Sequence, residues 1–232
     1  AILEHPDVSG VSFVGSSAVA RLVYAKAGQT GKRVQALGGA KNHMVVLPDA
    51  DLDLATDAAI SSVFGSAGQR CLANSVLVGV GEAYDRVKVQ LLEGANSLRV
   101  GYGLDEDTFM GPVISRRHRD RVIDLIDQGE REGADVALDG RGFQVDGYPE
   151  GHWVGPTVLE GVDPGMSVGQ EEVFGPVLGL TRAESVEDAI VLMHEVAYGN
   201  ATSIFTRSGR AAREFRYHAG ISMIGVNIGV AA

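Results

Sequence analysis

Short runs of β-branched residues alternate along this chain with segments whose apolar positions recur every three or four residues. The first pattern predicts strands and the second predicts amphipathic helices. The predicted strands are 8–14, 34–37, 43–47, 75–81, 134–140, 153–160, 177–182, 202–206 and 221–227. Strands that alternate with helices in this way build a mostly parallel sheet flanked by helices, so the pattern predicts an α/β fold.

Capping residues and apolar faces place the helices between these strands. Three predicted helices have defined ranges, 17–27, 82–96 and 209–218. Three others are placed by the residues at their ends: one is capped by Asp49 and Asp51, one ends at Gly133, and one begins with a capping box at Ser185 and Asp188. Four have a distinct apolar face, formed by Leu52, Ala55, Ala59 and Val63; Tyr84, Val87, Leu91 and Ala95; Val122, Leu125 and Ile126; and Val186, Ala189, Ile190, Met193 and Ala197. We expect these faces to pack against the sheet.

Composition and charge exclude several classes of protein. The 232 residues are 45% hydrophobic and 22% charged, which is ordinary for a globular chain with a substantial core. The formal net charge of -10 repels phosphate backbones, so nucleic acid is not an expected partner. The sequence contains no apolar run near the roughly 20 residues that span a bilayer, and its start lacks a signal-peptide pattern. We therefore expect a protein of the cytoplasm, or of the mitochondrial matrix if the source is eukaryotic.

The single cysteine and the six histidines give no basis for a disulfide or a metal site. One cysteine excludes an internal disulfide and any multi-cysteine zinc site. The histidines never fall at the spacing that places two metal ligands on one helix face; they are His5, His43, His118, His152, His194 and His218. We expect no metal cofactor.

Cys71 is the strongest candidate for chemistry. It ends the segment GSAGQRC, in which Gly65 and Gly68 permit tight backbone conformations and close approach of a ligand. Arg70 places a positive charge beside the thiol, which favours the reactive thiolate. A thiolate can attack an aldehyde carbonyl and form a thiohemiacetal, from which a hydride can leave. A lone cysteine is also often a small buried apolar residue, and the residues alone leave that alternative open.

Two glycine-containing turns have features of a nucleotide site. In FVGSS, Gly15 and Ser16 stand at a strand-to-helix junction, where free backbone N–H groups and the helix dipole favour a phosphate. In EEVFGPV, the carboxylate of Glu172 can accept hydrogen bonds from ribose hydroxyls, and the ring of Phe174 can pack against a flat heterocycle. An ordinary strand–helix turn and a solvated acidic turn are the alternatives.

The segment GMSVG matches the G-x-S-x-G pattern of the serine hydrolase nucleophile elbow. That elbow requires a strand before the serine and a helix after it. Pro164 precedes the segment, and Gly175 with Pro176 follows too closely for a helix of useful length. A serine hydrolase is therefore a minor alternative.

Taken together and in order, these segments resemble the aldehyde dehydrogenase superfamily. The resemblance extends over nearly the whole chain and rests on FVGSS, ALGGAKNH, LPDADLD, GSAGQRC, GPVIS, GPTVLEGV, EEVFGPV and YGNATSIFT. Within the superfamily, ALGGAKNHMVVLPDAD and GSAGQRC are most similar to the CoA-acylating methylmalonate-semialdehyde dehydrogenase branch.

The resemblance implies an NAD-dependent oxidoreductase acting on a small aldehyde, and it implies a role for each matching residue. Cys71 matches the catalytic nucleophile, and Arg70 is a candidate for binding the carboxylate of an acidic semialdehyde. The matching cofactor positions are Glu172 at the nicotinamide ribose, Phe174 beside the nicotinamide, Gly15 and Ser16 at the pyrophosphate, and Leu37 and Gly38 on the nicotinamide side.

One departure from the superfamily pattern concerns the fate of the thioester. Hydrolytic members carry a glutamate before the Leu-Gly-Gly turn, where it activates water, and this chain has Ala36 there. Without that base, a thioester on Cys71 is expected to persist until a stronger nucleophile arrives. The CoA thiolate is the expected co-substrate, and a hydrolytic enzyme that activates water by another group is the alternative.

The length of the chain bears on its organisation, because members of the superfamily are roughly twice as long. The resemblance implies that residues 1–38 are the end of a Rossmann-like NAD-binding domain and that 39–232 are a catalytic domain truncated at its C-terminal end. The apolar segments at both ends agree with this expectation. The implied parent protein is a homo-oligomer, and the isolated chain is expected to bind NAD poorly and to be feebly active. A non-catalytic remnant that serves as a binding module is the alternative.

Overall fold

The computed structural model describes residues 1–229 and divides the chain into two compact units, Ala1–Ala40 and Lys41–Ala232. The predicted domain boundary after residue 38 lies two residues before this division. Which domain of a longer protein each unit represents stays a prediction.

The first unit is a single strand–helix–strand motif. Strand β1 (Gly10–Val14) leads into helix α1 (Ser17–Gln29), which returns the chain to strand β2 (Arg33–Leu37). The strands are parallel, with Gly10 opposite Arg33 and Val14 opposite Leu37. Helix α1 buries Ala20, Val23 and Ala27. Their spacing of three and four residues places them on one face of the helix.

The second unit is built on a seven-stranded sheet. Its strands are β3 (His43–Val46), β4 (Val76–Val80), β5 (Asp135–Leu138), β6 (Thr157–Glu160), β7 (Val177–Ala183), β8 (Ala201–Phe205) and β9 (Met223–Val226). The spatial order is β5-β6-β7-β4-β3-β8-β9. Within residues 41–229, every neighbouring pair is parallel except β5 with β6, and this antiparallel pair lies at one edge.

Helices connect the strands and cover both faces of the sheet. They are α2 (Leu52–Phe64), α3 (Ala83–Asn96), α4 (Arg116–Arg131), the short α5 (Ser167–Gln170), α6 (Val186–His194) and α7 (Gly209–His218). Strand β3 contributes Met44 and Val46 to one apolar cluster and Val45 to another. Because successive side chains point to opposite faces, β3 is buried on both sides, as is typical of a central parallel strand.

The α/β class is confirmed, and three local predictions are wrong. Asp51 caps α2 by accepting from the Leu54 N–H at 3.2 Å, but Asp49 instead accepts from the Thr206 hydroxyl at 2.7 Å. Residues 153–156 are not strand, since β6 begins at Thr157. Ala197 is exposed because α6 has already ended at His194.

The GMSVG segment does not form a nucleophile elbow. Strand β6 ends at Glu160, well before Ser167, which begins a helix of only four residues. The Ser167 hydroxyl donates to Glu132 at 2.7 Å, so it makes a local contact with the end of α4.

Among residues 1–229, no helix is both long and apolar enough to cross a membrane.

Candidate active site

Cys71 follows a strained reversal of the chain after helix α2. The helix ends at Phe64, and the 3₁₀ turn Gly65–Gly68 contains three consecutive residues in the left-handed region, Ser66, Ala67 and Gly68, with φ of 54°, 52° and 67°. Left-handed conformations are costly for residues with a side chain and tend to occur at functional sites. The reversal leaves Cys71 exposed. The alternative of a small buried apolar cysteine therefore does not describe this residue.

Two asparagine side chains hold the backbone of Cys71. The Asn42 and Asn200 amide groups both donate to the Cys71 carbonyl, each at 2.9 Å. On the N-terminal side of the cysteine, the Gln69 side chain accepts from the Ile114 N–H at 3.0 Å. These contacts fix the loop on both sides of the sulfur.

Arg70 lies against the end of α2. Its guanidinium donates to the carbonyls of Ser61 at 2.6 Å and Ser62 at 2.9 Å in the last turn of the helix, and the Ser61 carbonyl also accepts from the Gly65 N–H. The Nε atom is buried and has no hydrogen-bond partner among residues 1–229. Both bonds to the serine carbonyls come from one guanidinium nitrogen, Nη2. The predicted contact with a substrate carboxylate stays a prediction.

The segment that contains Glu172 and Phe174 is held by helix α4. Arg121 donates to the carbonyls of Val173 at 2.9 Å and Glu172 at 3.1 Å. The His118 ring nitrogen lies 2.7 Å from the Phe174 carbonyl oxygen, and the two rings meet edge to face at 6.3 Å. Phe174 has a left-handed φ of 55° and remains 37% exposed. A strained aromatic residue held at the surface is available to contact a ligand.

The Cys71 loop and the Phe174 turn are in direct contact. The backbone of Gly68 packs so closely on the Gly175 carbonyl that a Cβ atom at position 68 would overlap it. Cys71 is three positions after Gly68, and Gly175 directly follows Phe174. The structure therefore brings together two segments that lie about a hundred positions apart in sequence.

Sequence reasoning missed two buried polar residues beside these segments, Lys41 and Asn42. Each is only 2% exposed. The Lys41 ammonium donates to the carbonyls of Val168 and Glu171. Burial lowers the pKa of Lys41 to about 8, although the negative charges of Glu172 and Glu171 partly oppose this shift. The sequence feature that could have indicated Lys41 is the occurrence of a lysine between apolar stretches, in the segment ALGGAKNH.

The remaining cofactor candidates lie in the first unit. Ser16 is the N-cap residue of α1 but makes no side-chain capping bond, and the first turn of α1 has no acidic residue. Its amide groups are therefore open to an anion. Leu37 ends β2 and is 49% exposed. A Cβ at Gly38 would come within 2.7 Å of the Ser17 hydroxyl, so a larger residue here would displace that hydroxyl.

Among residues 1–229, no group of three or more His, Cys, Asp or Glu side chains is arranged to hold a metal ion. The second unit offers an exposed thiol and an aromatic surface, and the first unit offers the backbone amides at the start of α1.

Comparison with known proteins establishes the family. The sequence profile of the aldehyde dehydrogenase family matches residues 1–232. The chain belongs to the aldehyde dehydrogenase family. The predicted resemblance is thereby confirmed, and the family assignment agrees with the observed α/β architecture.

Relatives within the family are similar over this whole chain but are longer. The malonate-semialdehyde dehydrogenase of Halalkalibacterium halodurans is 44% identical over 231 residues, which are 100% of this chain and 47% of that protein. A Sinorhizobium meliloti protein described as a methylmalonate-semialdehyde dehydrogenase, solved in complex with NAD, superposes with a TM-score of 0.96 at 46% identity, covering 99% of this chain and 47% of its own.

A more distant family member has the same fold. The betaine aldehyde dehydrogenase of Staphylococcus aureus, in complex with NAD+, has a TM-score of 0.95 at 30% identity, with 99% of this chain and 46% of that one covered. The chain spans about half the length of the curated relatives it matches.

Proposed function

We propose that this chain is the nucleophile-bearing part of an NAD-dependent aldehyde dehydrogenase that oxidises a malonate- or methylmalonate-type semialdehyde and transfers the acyl group to CoA. The observation that carries the proposal is the exposed Cys71, on a loop that packs directly against the Glu172–Phe174 turn. The names and sequence identities of the relatives support the substrate class.

The proposed reaction begins at the sulfur. The Cys71 thiolate attacks the aldehyde carbon, a C–S bond forms, and the carbonyl oxygen becomes an oxyanion. The oxyanion collapses to a thioester as the former aldehyde hydrogen leaves carbon with its electron pair. When bound, NAD supplies the acceptor for that pair and is reduced, so the aldehyde carbon is oxidised by two electrons.

The residues of the chain fit this cofactor. The uncapped first turn of α1 offers backbone donors and the positive end of the helix dipole to a pyrophosphate. Gly15 and Ser16 precede this turn, and the Gly15 N–H donates to the Leu37 carbonyl at 3.2 Å. Phe174 presents an exposed ring for a flat heterocycle, and Glu172 provides a carboxylate for ribose hydroxyls. These roles are part of the proposal.

The proposed second half-reaction uses CoA. Position 36, at which hydrolytic members carry the water-activating glutamate, is an alanine in strand β2. Without that base the thioester on Cys71 lasts long enough for the CoA thiolate to attack the acyl carbon, form acyl-CoA and release the Cys71 thiolate. Arg70 is the proposed partner of the substrate carboxylate, and its bonds to the carbonyls at the end of α2 come from Nη2.

The test uses the complete gene product that contains this chain. With a malonate-type semialdehyde and NAD, we expect NADH formation that depends on CoA and is lost in Cys71→Ser. Ala36→Glu is expected to increase the yield of free acid when CoA is omitted. Equal rates with and without CoA in the unmodified protein would support the hydrolytic alternative, and full activity in Cys71→Ser would refute the proposal.

Two further measurements use the isolated chain. Cys71 is the only cysteine, so the rate of iodoacetamide labelling reports on this thiol alone. We expect complete, single labelling under native conditions and weak NAD binding. Micromolar affinity for NAD in the isolated chain would contradict the second expectation. A homo-oligomeric parent protein in the cytoplasm, or in the mitochondrial matrix of a eukaryote, completes the proposal.

A further inference from the structure

Lys41 and Asn42 are consecutive polar residues that the reaction described above does not use. Both are almost completely buried at the entrance to strand β3. Burial of a charged or polar side chain is unfavourable unless hydrogen bonds compensate for the lost water. Their bonding partners therefore indicate what these side chains do.

The amide nitrogen and the amide oxygen of Asn42 both make hydrogen bonds, and two of the three bonds go to the nucleophile segment. Its amide nitrogen donates to the carbonyls of Cys71 and Ala73, both at 2.9 Å. Its amide oxygen accepts from the Ala201 N–H at 3.0 Å, at the start of strand β8. Both amide hydrogens thus hold the backbone at Cys71 and just after it, and the oxygen anchors the group to the sheet.

The Lys41 side chain makes the corresponding contacts with the other segment. Its ammonium donates to the carbonyls of Val168 and Glu171, which lie in α5 and directly after it. Glu171 immediately precedes Glu172, and Glu171 and Glu172 are the acidic groups whose charges act on this ammonium. The backbone that leads into the Glu172–Phe174 turn is therefore fixed by a buried charge.

Adjacent side chains at the start of an extended segment point in opposite directions. The dipeptide Lys41–Asn42 consequently reaches both functional segments from one point of the sheet. Its position is fixed in turn by the Lys41 N–H, which donates to the Gly199 carbonyl at 3.3 Å, and by the Asn42 carbonyl, which accepts from the Ser75 N–H at 2.9 Å.

We propose that Lys41 and Asn42 are a pair of positioning residues, in which Asn42 fixes the backbone of the Cys71 nucleophile and Lys41 fixes the backbone that carries Glu172 and Phe174. This inference rests on the proposed function. Its physical reason is that a displacement of about 1 Å between reacting groups can lower a rate about 100-fold. A rigid two-residue link reduces such displacement.

The two side chains are expected to affect different kinetic constants. Asn42→Asp keeps the oxygen that accepts from Ala201 but replaces the donor to Cys71 with a second oxygen. In the complete gene product we expect kcat to fall about 10-fold or more, with the KM for NAD changed less than about 3-fold. Lys41→Met removes both bonds to the Glu172 segment, and we expect the KM for NAD to rise about 10-fold, with partial recovery in Lys41→Arg.

A matched control separates positioning from stability. Thr202→Val removes a buried side-chain hydrogen bond, from the Thr202 hydroxyl to the His43 carbonyl at 2.9 Å, without touching either segment. It is expected to lower Tm while kcat and the KM for NAD stay within about 2-fold, when measured well below Tm. Kinetic constants within 2-fold for folded Asn42→Asp and Lys41→Met would overturn the proposal.

Two further measurements keep the test decisive. If Asn42→Asp does not fold, Asn200→Gly removes the second donor to the Cys71 carbonyl at a position with a left-handed φ of 98°, which glycine adopts readily. Cys71 labelling by iodoacetamide needs no cofactor, so it tests the positioning of the nucleophile even if the proposed dehydrogenase activity is absent. We expect the labelling rate of Asn42→Asp or Asn200→Gly to change at least about 3-fold, and an unchanged rate in both would overturn the role of Asn42.

Discussion

The backbone of Gly68 lies directly against the carbonyl group of Gly175. Gly68 has a left-handed φ of 67°, and an added Cβ would overlap the Gly175 carbonyl and come within 2.9 Å of the Val63 carbonyl oxygen. The contact joins the loop of the candidate nucleophile to the turn of the candidate cofactor residues. Both the conformation and the space at position 68 require glycine.

We therefore expect Gly68→Ala to separate the two segments. The methyl group cannot be accommodated without movement of backbone, so the free energy of unfolding should fall by about 2–4 kcal/mol. In the complete gene product, activity at a temperature where the variant remains folded should fall at least 10-fold. Urea denaturation and NADH formation measure the two effects.

Two glycine substitutions serve as controls for this prediction. Gly142 also has a left-handed φ, of 73°, but an added Cβ meets nothing within 4 Å, so Gly142→Ala reports the backbone strain alone. Gly111→Ala reports neither strain nor overlap. Equal losses of stability in Gly68→Ala and Gly142→Ala would show that the Gly175 contact contributes nothing.

Phe174→Gly is expected to lower activity while leaving the free energy of unfolding nearly unchanged. The left-handed φ of Phe174 costs about 1 kcal/mol, which glycine avoids, and the ring is already 37% exposed. The free energy of unfolding should therefore change by less than about 1 kcal/mol, whereas Phe205→Ala in the buried core should cost about 3–5 kcal/mol. The proposed contact with nicotinamide predicts that kcat/KM for NAD in the complete gene product falls about 10-fold or more. A loss above 3 kcal/mol in Phe174→Gly would instead identify the ring as part of the core.

The regular elements were predictable because each follows from a local pattern. The apolar spacing of Tyr84, Val87, Leu91 and Ala95 requires a helix with one buried face, and all four are buried in α3. Errors occurred where a distant partner decides the outcome. Aspartate is a residue type that caps helices, but the Asp49 carboxylate instead accepts a hydrogen bond from the Thr206 hydroxyl, 157 positions away.

The candidate site was predictable only as separate segments. The glycines of GSAGQRC predict a turn, but no local pattern shows that Gly68 meets Gly175 or that Asn42 binds the Cys71 carbonyl. Such contacts depend on the order of strands in the sheet, which the hydrophobic pattern does not specify. Arg70 adjoins Cys71 in sequence, yet its guanidinium binds the end of α2, because the carbonyls of Ser61 and Ser62 lie within hydrogen-bonding distance.

Acid is expected to destabilise the fold through His43. Burial lowers the pKa of His43 to about 4, and the positive charge of Lys41 adds to this effect. Since the unfolded chain binds the proton near pH 6.5, its proton uptake exceeds that of the folded chain between pH 6.5 and pH 4. This contribution to stability is present above pH 6.5 and decreases on acidification, by about 3 kcal/mol at pH 4.

Denaturant unfolding at pH 7 and at pH 4.5 measures this loss. In His43→Gln the difference in free energy between the two pH values should be smaller by about 2 kcal/mol than in the unmodified chain. His5→Gln, at an exposed position, is the matched control and should leave the difference unchanged. An equal pH dependence in His43→Gln and His5→Gln would assign the acid sensitivity to other groups.

High pH is expected to lower the stability of the fold through Tyr84. Its hydroxyl donates to Glu160 at 2.9 Å, and the Arg182 guanidinium lies 4.4 Å from the centre of its ring. Burial, followed by the hydrogen bond and the charge of Glu160, raises the pKa of Tyr84 above its ordinary value of 10.0. The folded chain therefore retains this proton above pH 10 while the unfolded chain releases it, so stability is present below pH 10 and decreases as the pH rises further.

Tyr84→Phe removes this alkaline loss but also removes a hydrogen bond. At pH 7 the variant should be less stable by about 1–2 kcal/mol, because the ring stays packed but the Glu160 carboxylate keeps only the bond from Lys88, at 2.6 Å. Above pH 10 the difference between the two proteins should shrink, since only the unmodified chain carries the titrating phenol. Adding Lys88→Met in a double-mutant cycle should give a coupling energy above about 0.5 kcal/mol, because both donors share one carboxylate oxygen. Two results together would show that the Tyr84 hydroxyl does not contribute through Glu160. The stability losses of Tyr84→Phe and Lys88→Met would be strictly additive, and the stability difference between Tyr84→Phe and the unmodified chain would not depend on pH.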